Sequence, residues 1–253
     1  MIIDFPKAEQ YPMLKGLWKE AFSDTDEFLS SFWNSAFSAD RCRCVTVDGK
    51  AVSALYWFDC SCRGRKIAYL YAIATLEEYR GRGICRALME DTQRHLGELG
   101  YSGAVLVPGG RELFGFYEKL GYRTCGSVSE FTSCSSQKSI GIREIDIFEY
   151  ARLRRSFLSE GGVIQENENL EFLKTMASLY TGDGFLLAAR VEGNKLHGLE
   201  LLGNSDTAAD ILYTLGCAGG KFRTCGGDTP FAMYASFDGD ISKAPSYFGL
   251  AFD

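Results

Sequence analysis

The run KIAYLYAIATLEEYRGRGICRALMEDTQRHL, from Lys66 to Leu96, constrains the fold more than any other part of the chain. A β-rich stretch ends near Thr75, and three arginines and two glycines follow within Arg80–Arg86. A helical pattern starts at once, from about Gly83 to Leu99, and GAVLVP then reads as another strand. A helix crossing between two strands implies α/β layering around a twisted sheet.

The flanking patterns extend that reading. Pro12 and the apolar positions Leu14, Leu17, Trp18 and Phe22 predict a first helix. SDTD offers caps for a second, with Phe28, Leu29, Phe32, Trp33, Ala36 and Phe37 on one face. RCRCVTV and AVSALYWF read as strands joined by the turn DGK, and KIAYLYAIAT as the third strand. RELFGFYEKL is a short helix, and GYRTCG opens a further strand.

A strand, a loop with Gly81 and Gly83 and a helix N-terminus together make a phosphate trap. Glycine permits dihedrals that turn successive N–H groups inward, and the helix end adds partial positive charge. Arg80, Arg82 and Arg86 supply counter-charges for a pyrophosphate or ribose phosphate. The bland alternative is a solvated basic loop whose glycines serve only the turn. A P-loop is excluded, because no Gly-Lys-Ser/Thr follows four residues after a first glycine. A dinucleotide fingerprint fails too, since Arg86 stands where its third glycine belongs and three strands precede the loop.

The hexapeptide Arg80-Gly81-Arg82-Gly83-Ile84-Cys85 resembles the R/Q-x-x-G-x-G/A signature of the GNAT acetyltransferases, with Cys85 at the last position in place of Gly or Ala. FYEKLGYRTCG (Phe116–Gly126) is similar to the second cofactor region of that superfamily, aromatic-Tyr-x-x-x-Gly-aromatic. The predicted element order over roughly residues 1–130 matches as well. The resemblance implies acetyl-CoA as acyl donor, no metal, and transfer to a primary amine of a small-molecule or peptide acceptor. It implies that the backbone of Ile73, Ala74 and Thr75, beside a bulge, pairs with the pantetheine arm. It implies that N–H groups from Arg80 through Ile84 and Cys85 to Arg86 hold the pyrophosphate. It makes Tyr117 the acid that protonates the departing thiolate. The alternative for Tyr117 is a packing role with Leu113 and Leu120. Many relatives carry Asn seven residues before this tyrosine; here Gly110 stands there.

An acyl thioester is already activated, so positioning and carbonyl polarisation carry much of the catalysis. A base must still take the amine proton, and the sequence nominates none. Glu77 and Glu78 read as solvated turn residues, His95 and His197 as structural. Trp18, Phe28, Phe32 and Trp33 read as core rather than as the floor of an acceptor pocket. The rival class is a non-catalytic acyl-CoA-binding sensor, motivated by Cys85 and Gly110. A third reading, a tRNA-dependent aminoacyl transferase of two similar halves, is disfavoured by charge.

The 253 residues carry a formal charge of −6, which argues against nucleic acid as partner. No apolar run is long enough to span a membrane, and MIIDFPKAEQ has neither the basic nor the apolar region of a signal peptide. These features predict a cytoplasmic protein. Nine cysteines include two C-x-C pairs, Cys42/Cys44 and Cys60/Cys62. If DGK closes a hairpin, Cys42 and Cys44 lie opposite Leu55 and Ser53, and structural-zinc spacing is absent. Reduced, mostly buried thiols are expected.

The second half reads as a degenerate copy. EFLSSF (Glu27–Phe32) matches EFLKTM (Glu171–Met176), and VDGK (Val47–Lys50) matches VEGN (Val191–Asn194), both at an offset of 144. After LHGLELLG only NSD precedes the helix TAADILYTLG. TPFAMYASF and the terminal SYFGLAFD are strand-like, and the last is expected to join a sheet. The expectation is therefore a mixed α/β chain with two domains. Residues 1–134 form an acyl-CoA-binding catalytic domain and residues 140–253 a degenerate GNAT-like domain.

Overall fold

A computed structural model describes residues 1–252. The chain forms two compact units, Met1–Arg123 with Met233–Ser242, and Thr124–Ala232 with Lys243–Asp253. The division falls at Arg123 rather than in the polar stretch Ser135–Ser139, and the first unit takes back a late segment.

In the first unit β1 (Ile2–Asp4) precedes α1 (Tyr11–Phe22) and α2 (Asp26–Ser35). The strands β2 (Cys42–Val47), β3 (Lys50–Cys62) and β4 (Arg65–Thr75) follow, then α3 (Ile84–Glu98), β5 (Gly103–Leu106) and α4 (Arg111–Glu118). The pairs β1–β2, β2–β3 and β3–β4 are antiparallel, and β4–β5 is parallel across α3. Strand alternation assigns the faces. Tyr56 and Tyr71 meet Trp18 and Phe32 from α1 and α2, whereas Trp57 turns to His95 of α3. Trp18 and Phe32 are buried, and the Trp18 indole donates to Asp24 at 2.8 Å, so these two are core as expected. The Thr25 hydroxyl caps α2 by accepting from Phe28 N.

One register expectation is corrected. Cys42 and Cys44 face Tyr56 and Ala54, not Leu55 and Ser53. Val47↔Lys50 and Thr46↔Ala51 follow the tight turn, but Val45 pairs with Ser53. An extra residue on β3 shifts the ladder by one.

The second unit contains β6 (Arg123–Cys134), β7 (Ile142–Glu144), α5 (Ile147–Phe157), β8 (Ile164–Gln165) and α6 (Glu168–Lys174). Then come β9 (Ser178–Gly182), β10 (Phe185–Glu192), β11 (Lys195–Gly203), α7 (Ala208–Thr214), β12 (Gly219–Cys225) and β13 (Thr229–Ser236). Met233–Ser236 of β13 runs antiparallel to β5 within the first unit. In the second unit β11 and β12 are parallel across α7, and β9, β10 and β11 form an antiparallel meander. Helix, helix, three strands, helix and strand thus recur in the order of the first unit. Element matching equates Asp183-Gly184, between β9 and β10, with the β2–β3 turn. VEGN lies one hairpin later, so that sequence match was out of step with the repeat.

Within SYFGLAFD, Tyr247–Phe252 is buried but is not a strand. Tyr247, Phe248, Leu250, Ala251 and Phe252 are all buried, with no alternation, and one parallel bridge joins Gly162 to Tyr247. The run is fixed by Val163 N to Tyr247 O (2.9 Å) and Gln165 Nε2 to Leu250 O (2.8 Å). Asp253 lies outside the described residues.

Candidate active site

The first unit opens where β4 and β5 part. Their parallel pairing covers only Ala68↔Ala104 and Tyr69↔Val105, yet β4 runs on to Thr75. Beyond Tyr69 one edge of β4 stays paired with β3, and the other has left β5. Tyr71, Ala72 and Ile73 become partly exposed at this point. A bulge coincides with the parting: Tyr56↔Tyr71 and Ala54↔Ala74 leave one extra residue on β4, and Ala72 takes φ 47°. Backbone strain at a non-glycine residue is often a feature of functional sites. Ile73, Ala74 and Thr75 follow the bulge in chain order.

Thr75 ties the strand end to its surroundings. Its hydroxyl shares a 2.8 Å hydrogen bond with Ser53 Oγ, and Ser53 also donates to Ala74 O at 2.7 Å. Arg80 Nε donates to Thr75 O at 3.0 Å, folding the loop back on the strand. Arg80 is therefore a brace for the loop as well as a local positive charge. Glu77 N donates to Glu20 at 2.8 Å, which joins the loop to α1.

Gly81 and Gly83 have φ of 73° and 76°, in the left-handed region that glycine enters without a Cβ penalty. Gly83 is the N-cap of α3 and brings no capping side chain. The N–H groups of Ile84, Cys85 and Arg86 lie in the first turn, where a helix cannot satisfy them itself. In α2 and α5 the side chains of Thr25 and Asp146 accept from such groups. At α3 that capacity stays available to an anion, and the helix dipole favours one. A Cβ at either glycine would meet no protein atom within 4 Å. The Arg82 guanidinium lies over the Tyr79 ring, 5.2 Å from its centroid, and Arg86 is 3.7 Å from Glu90 one turn along.

Cys85 and Tyr117 belong to the same neighbourhood. The Cys85 thiol hydrogen-bonds Thr75, and burial, outweighing that bond, pushes its pKa up to about 11. Cys85 is thus a neutral thiol at neutral pH. Tyr117, near the end of α4, is buried, and its hydroxyl is raised above the usual tyrosine range by burial, then by Cys85 and Tyr122. Its ring meets Phe116 (5.2 Å) and Tyr122 (5.9 Å) edge-on. Of the two leucines expected beside it, Leu113 is exposed and Leu120 buried, and Tyr122 is a further neighbour of the ring. That neighbour was legible in the aromatic after Gly121. Gly110 caps α4 in an extended conformation, with the Glu112 carboxylate folded against it.

The remaining sequence candidates stand apart. His95, on the last turn of α3, packs edge-on against Phe5 at 5.1 Å. His197 lies in the second unit, 3.9 Å from Glu192. Among the described residues no group of three or more His, Cys, Asp or Glu could hold a metal ion, and no helix is long and apolar enough to cross a membrane.

Residues 3–125 match the family model of the Acetyltransferase (GNAT) domain. Those residues are a GNAT acetyltransferase domain. Solved structures agree in fold over nearly the whole chain. A GCN5-related N-acetyltransferase from Kribbella flavida aligns with TM-score 0.72 and 16% identity, covering 94% of this chain and 72% of its own. A GCN5-related N-acetyltransferase from Anabaena variabilis aligns at 0.70 and 13%, covering 96% and 74%. Eis1 from Mycobacterium abscessus aligns at 0.65 and 14%, covering 94% and 74%. No curated protein matches the chain in sequence. At these identities the likeness is one of fold, and it extends beyond the GNAT domain into the second unit.

Proposed function

We propose that the chain is an acyl-CoA-dependent N-acetyltransferase that moves an acetyl group to a primary amine, with one active site in the first unit. The carrying observation is the coincidence of three features at the end of β4: the parted strands, the bulge at Ala72, and the uncapped, glycine-led N-terminus of α3. The edge of β4 from Ile73 to Thr75 offers backbone groups to the pantetheine arm, as a neighbouring strand would. N–H groups from Arg80 to Arg86 receive the pyrophosphate, and Arg82 and Arg86 add charge. The amine attacks the thioester carbonyl and its proton leaves through water to bulk solvent. The carbon–sulfur bond breaks, and Tyr117 gives its proton to the thiolate and is reprotonated from solvent. Burial keeps the Tyr117 hydroxyl protonated at neutral pH, so the proton is present to be given.

Residues 1–134 and 140–253 are proposed as the functional division, catalytic and degenerate, even though the compact units exchange segments around it. Trp33 and Phe28 on α2 are half-buried, unlike Trp18 and Phe32, so they are the aromatics available to an acceptor. Isothermal titration with acetyl-CoA, followed by free-thiol release across an amine panel, tests the reading. Binding with turnover on at least one amine is expected. Binding without turnover on any amine would favour the sensor.

A further inference from the structure

Two adjacent cations, Arg65 and Lys66, open β4 at the end that the proposed transfer does not use. Both line a cleft of about 500 Å³ together with Tyr101, Ser102, Phe237 and Asp238. That volume lies in the range of small-molecule sites. Ile73 is eight residues further along the strand, roughly 25 Å away, so the cleft is separate from the thioester groove.

The polar groups of the cleft are unevenly satisfied. Asp238 receives Arg65 Nη2, the Ser236 hydroxyl at 2.6 Å and Asp240 N at 3.1 Å. Asp59, behind the cleft, accepts from the Tyr101 hydroxyl and lies 3.8 Å from Lys66 Nζ. Both carboxylates are thus engaged. Arg65 Nη1 is buried without a hydrogen-bond partner. The Lys66 ammonium sits 3.9 Å from the centroid of the Tyr101 ring, its side chain about half exposed. A guanidinium donates and never accepts, and its fork suits a planar oxyanion. The unspent capacity of the cleft is therefore donor capacity, beside the half-buried ring of Phe237.

We propose that this cleft binds a small molecule carrying a carboxylate or phosphate on an apolar body. The oxyanion sits on Lys66 Nζ and on the Arg65 guanidinium, whose buried Nη1 turns toward the cleft to donate, and the body lies against Phe237. The test uses the full chain saturated with CoA, so that added anions cannot enter the phosphate loop; without CoA binding, the same titration runs on the chain alone. Sodium benzoate and inorganic phosphate are titrated separately, followed by NMR shifts and calorimetry. Saturable binding of at least one is expected, and benzoate against phosphate distinguishes the carboxylate from the phosphate source. Arg65→Lys keeps a charge for Asp238 but loses the planar fork that reaches two oxyanions at once, and Lys66→Met removes the ammonium. Each should weaken binding at least about tenfold, as expected for losing a charge-assisted bond, with CoA affinity and melting temperature unchanged. Absence of saturable binding by both probes, or unchanged affinity in both variants, would overturn the proposal.

Discussion

The two parallel crossings, β4–α3–β5 and β11–α7–β12, start from the same plan and diverge at their ends. Each carries a strand bulge: near Ala72 on β4 and at Leu199 on β11, where Ala189 pairs with Gly198 but Ala188 with Glu200. In the first unit the parallel pairing stops at Tyr69 and β4 continues for six residues. In the second it reaches Leu201↔Thr224, and β11 ends two residues later at Gly203. The loop after β4 has Gly81 and Gly83 and its arginines; the one after β11 is Asn204, then Ser205–Thr207, with the Asn204 side chain accepting from Asp206 N. Beside the second bulge stands a buried ion pair. Glu200 receives Arg154 Nε at 2.7 Å, Arg154 Nη2 at 2.9 Å and the Tyr150 hydroxyl at 3.1 Å. One bulge borders an open strand edge, the other a filled core. The difference teaches that the fold alone does not make the site: the strands must also part, and the loop must bring glycines and positive charge to the helix N-terminus.

The strongest way to break this contrast is to close the first crossing. Gly83→Val demands a left-handed angle from a β-branched residue and places methyls where the phosphates would sit. CoA binding by calorimetry should disappear while circular dichroism keeps the folded signature. Unchanged affinity would remove the phosphate from this loop.

Next in size is the second unit's core. Arg154→Met leaves Glu200 charged and unpaired in the interior, a loss of about 3–5 kcal/mol in chemical denaturation. Acetyl-CoA affinity, measured under conditions where the variant remains folded, should not change. A fall in affinity would show that the two crossings are not independent.

Tyr117→Phe keeps the ring against Tyr122 and loses only the hydroxyl. It should lower kcat by about 10²-fold with a much smaller change in the acetyl-CoA KM. A loss of only twofold in a folded variant would make Tyr117 a packing residue. The pH profile sharpens the point. A raised pKa keeps the acid protonated as pH rises, so kcat should show no alkaline decline from this group up to about pH 10, the ordinary tyrosine value. An alkaline limb near pH 8 that disappears in Tyr117→Phe would contradict the raised pKa while leaving Tyr117 as the acid.

The smallest effect belongs to Arg82, an exposed cation on the Tyr79 ring. Arg82→Ala should weaken CoA by about two- to fivefold, within the range of solvent-screened charges. A hundredfold loss would mean that Arg82, rather than the backbone cradle, dominates phosphate binding.

The elements that set up the site were legible because local chemistry dictates them. Near-continuous apolar runs bounded by turn residues marked β3 and β4, Pro12 and Thr25 marked helix starts, and the Gly/Arg loop announced the crossing. Tertiary compensation hid the rest. The extra residue on β3 shifts Cys42 and Cys44 by one, and no turn residue signals it. β12 (GGKFRTC) opens on two glycines, which read as a breaker, yet Gly220 approaches the Leu196 carbonyl too closely for a Cβ. The terminal YFGLAF looks like a strand because it is apolar, but it is buried on every side and held by side-chain and bridge contacts. At the site, the loop and Tyr117 were visible as motifs. The Arg80–Thr75 brace and the parting of β5 from β4 were not, because both are distances between segments rather than patterns within one.

The central claim, one working crossing and one sealed one, predicts a stoichiometry. Native mass spectrometry of the full chain, titrated with CoA to saturation, should show one CoA per chain, and none in Gly83→Val. Two CoA per chain, or one retained in Gly83→Val, would contradict the account.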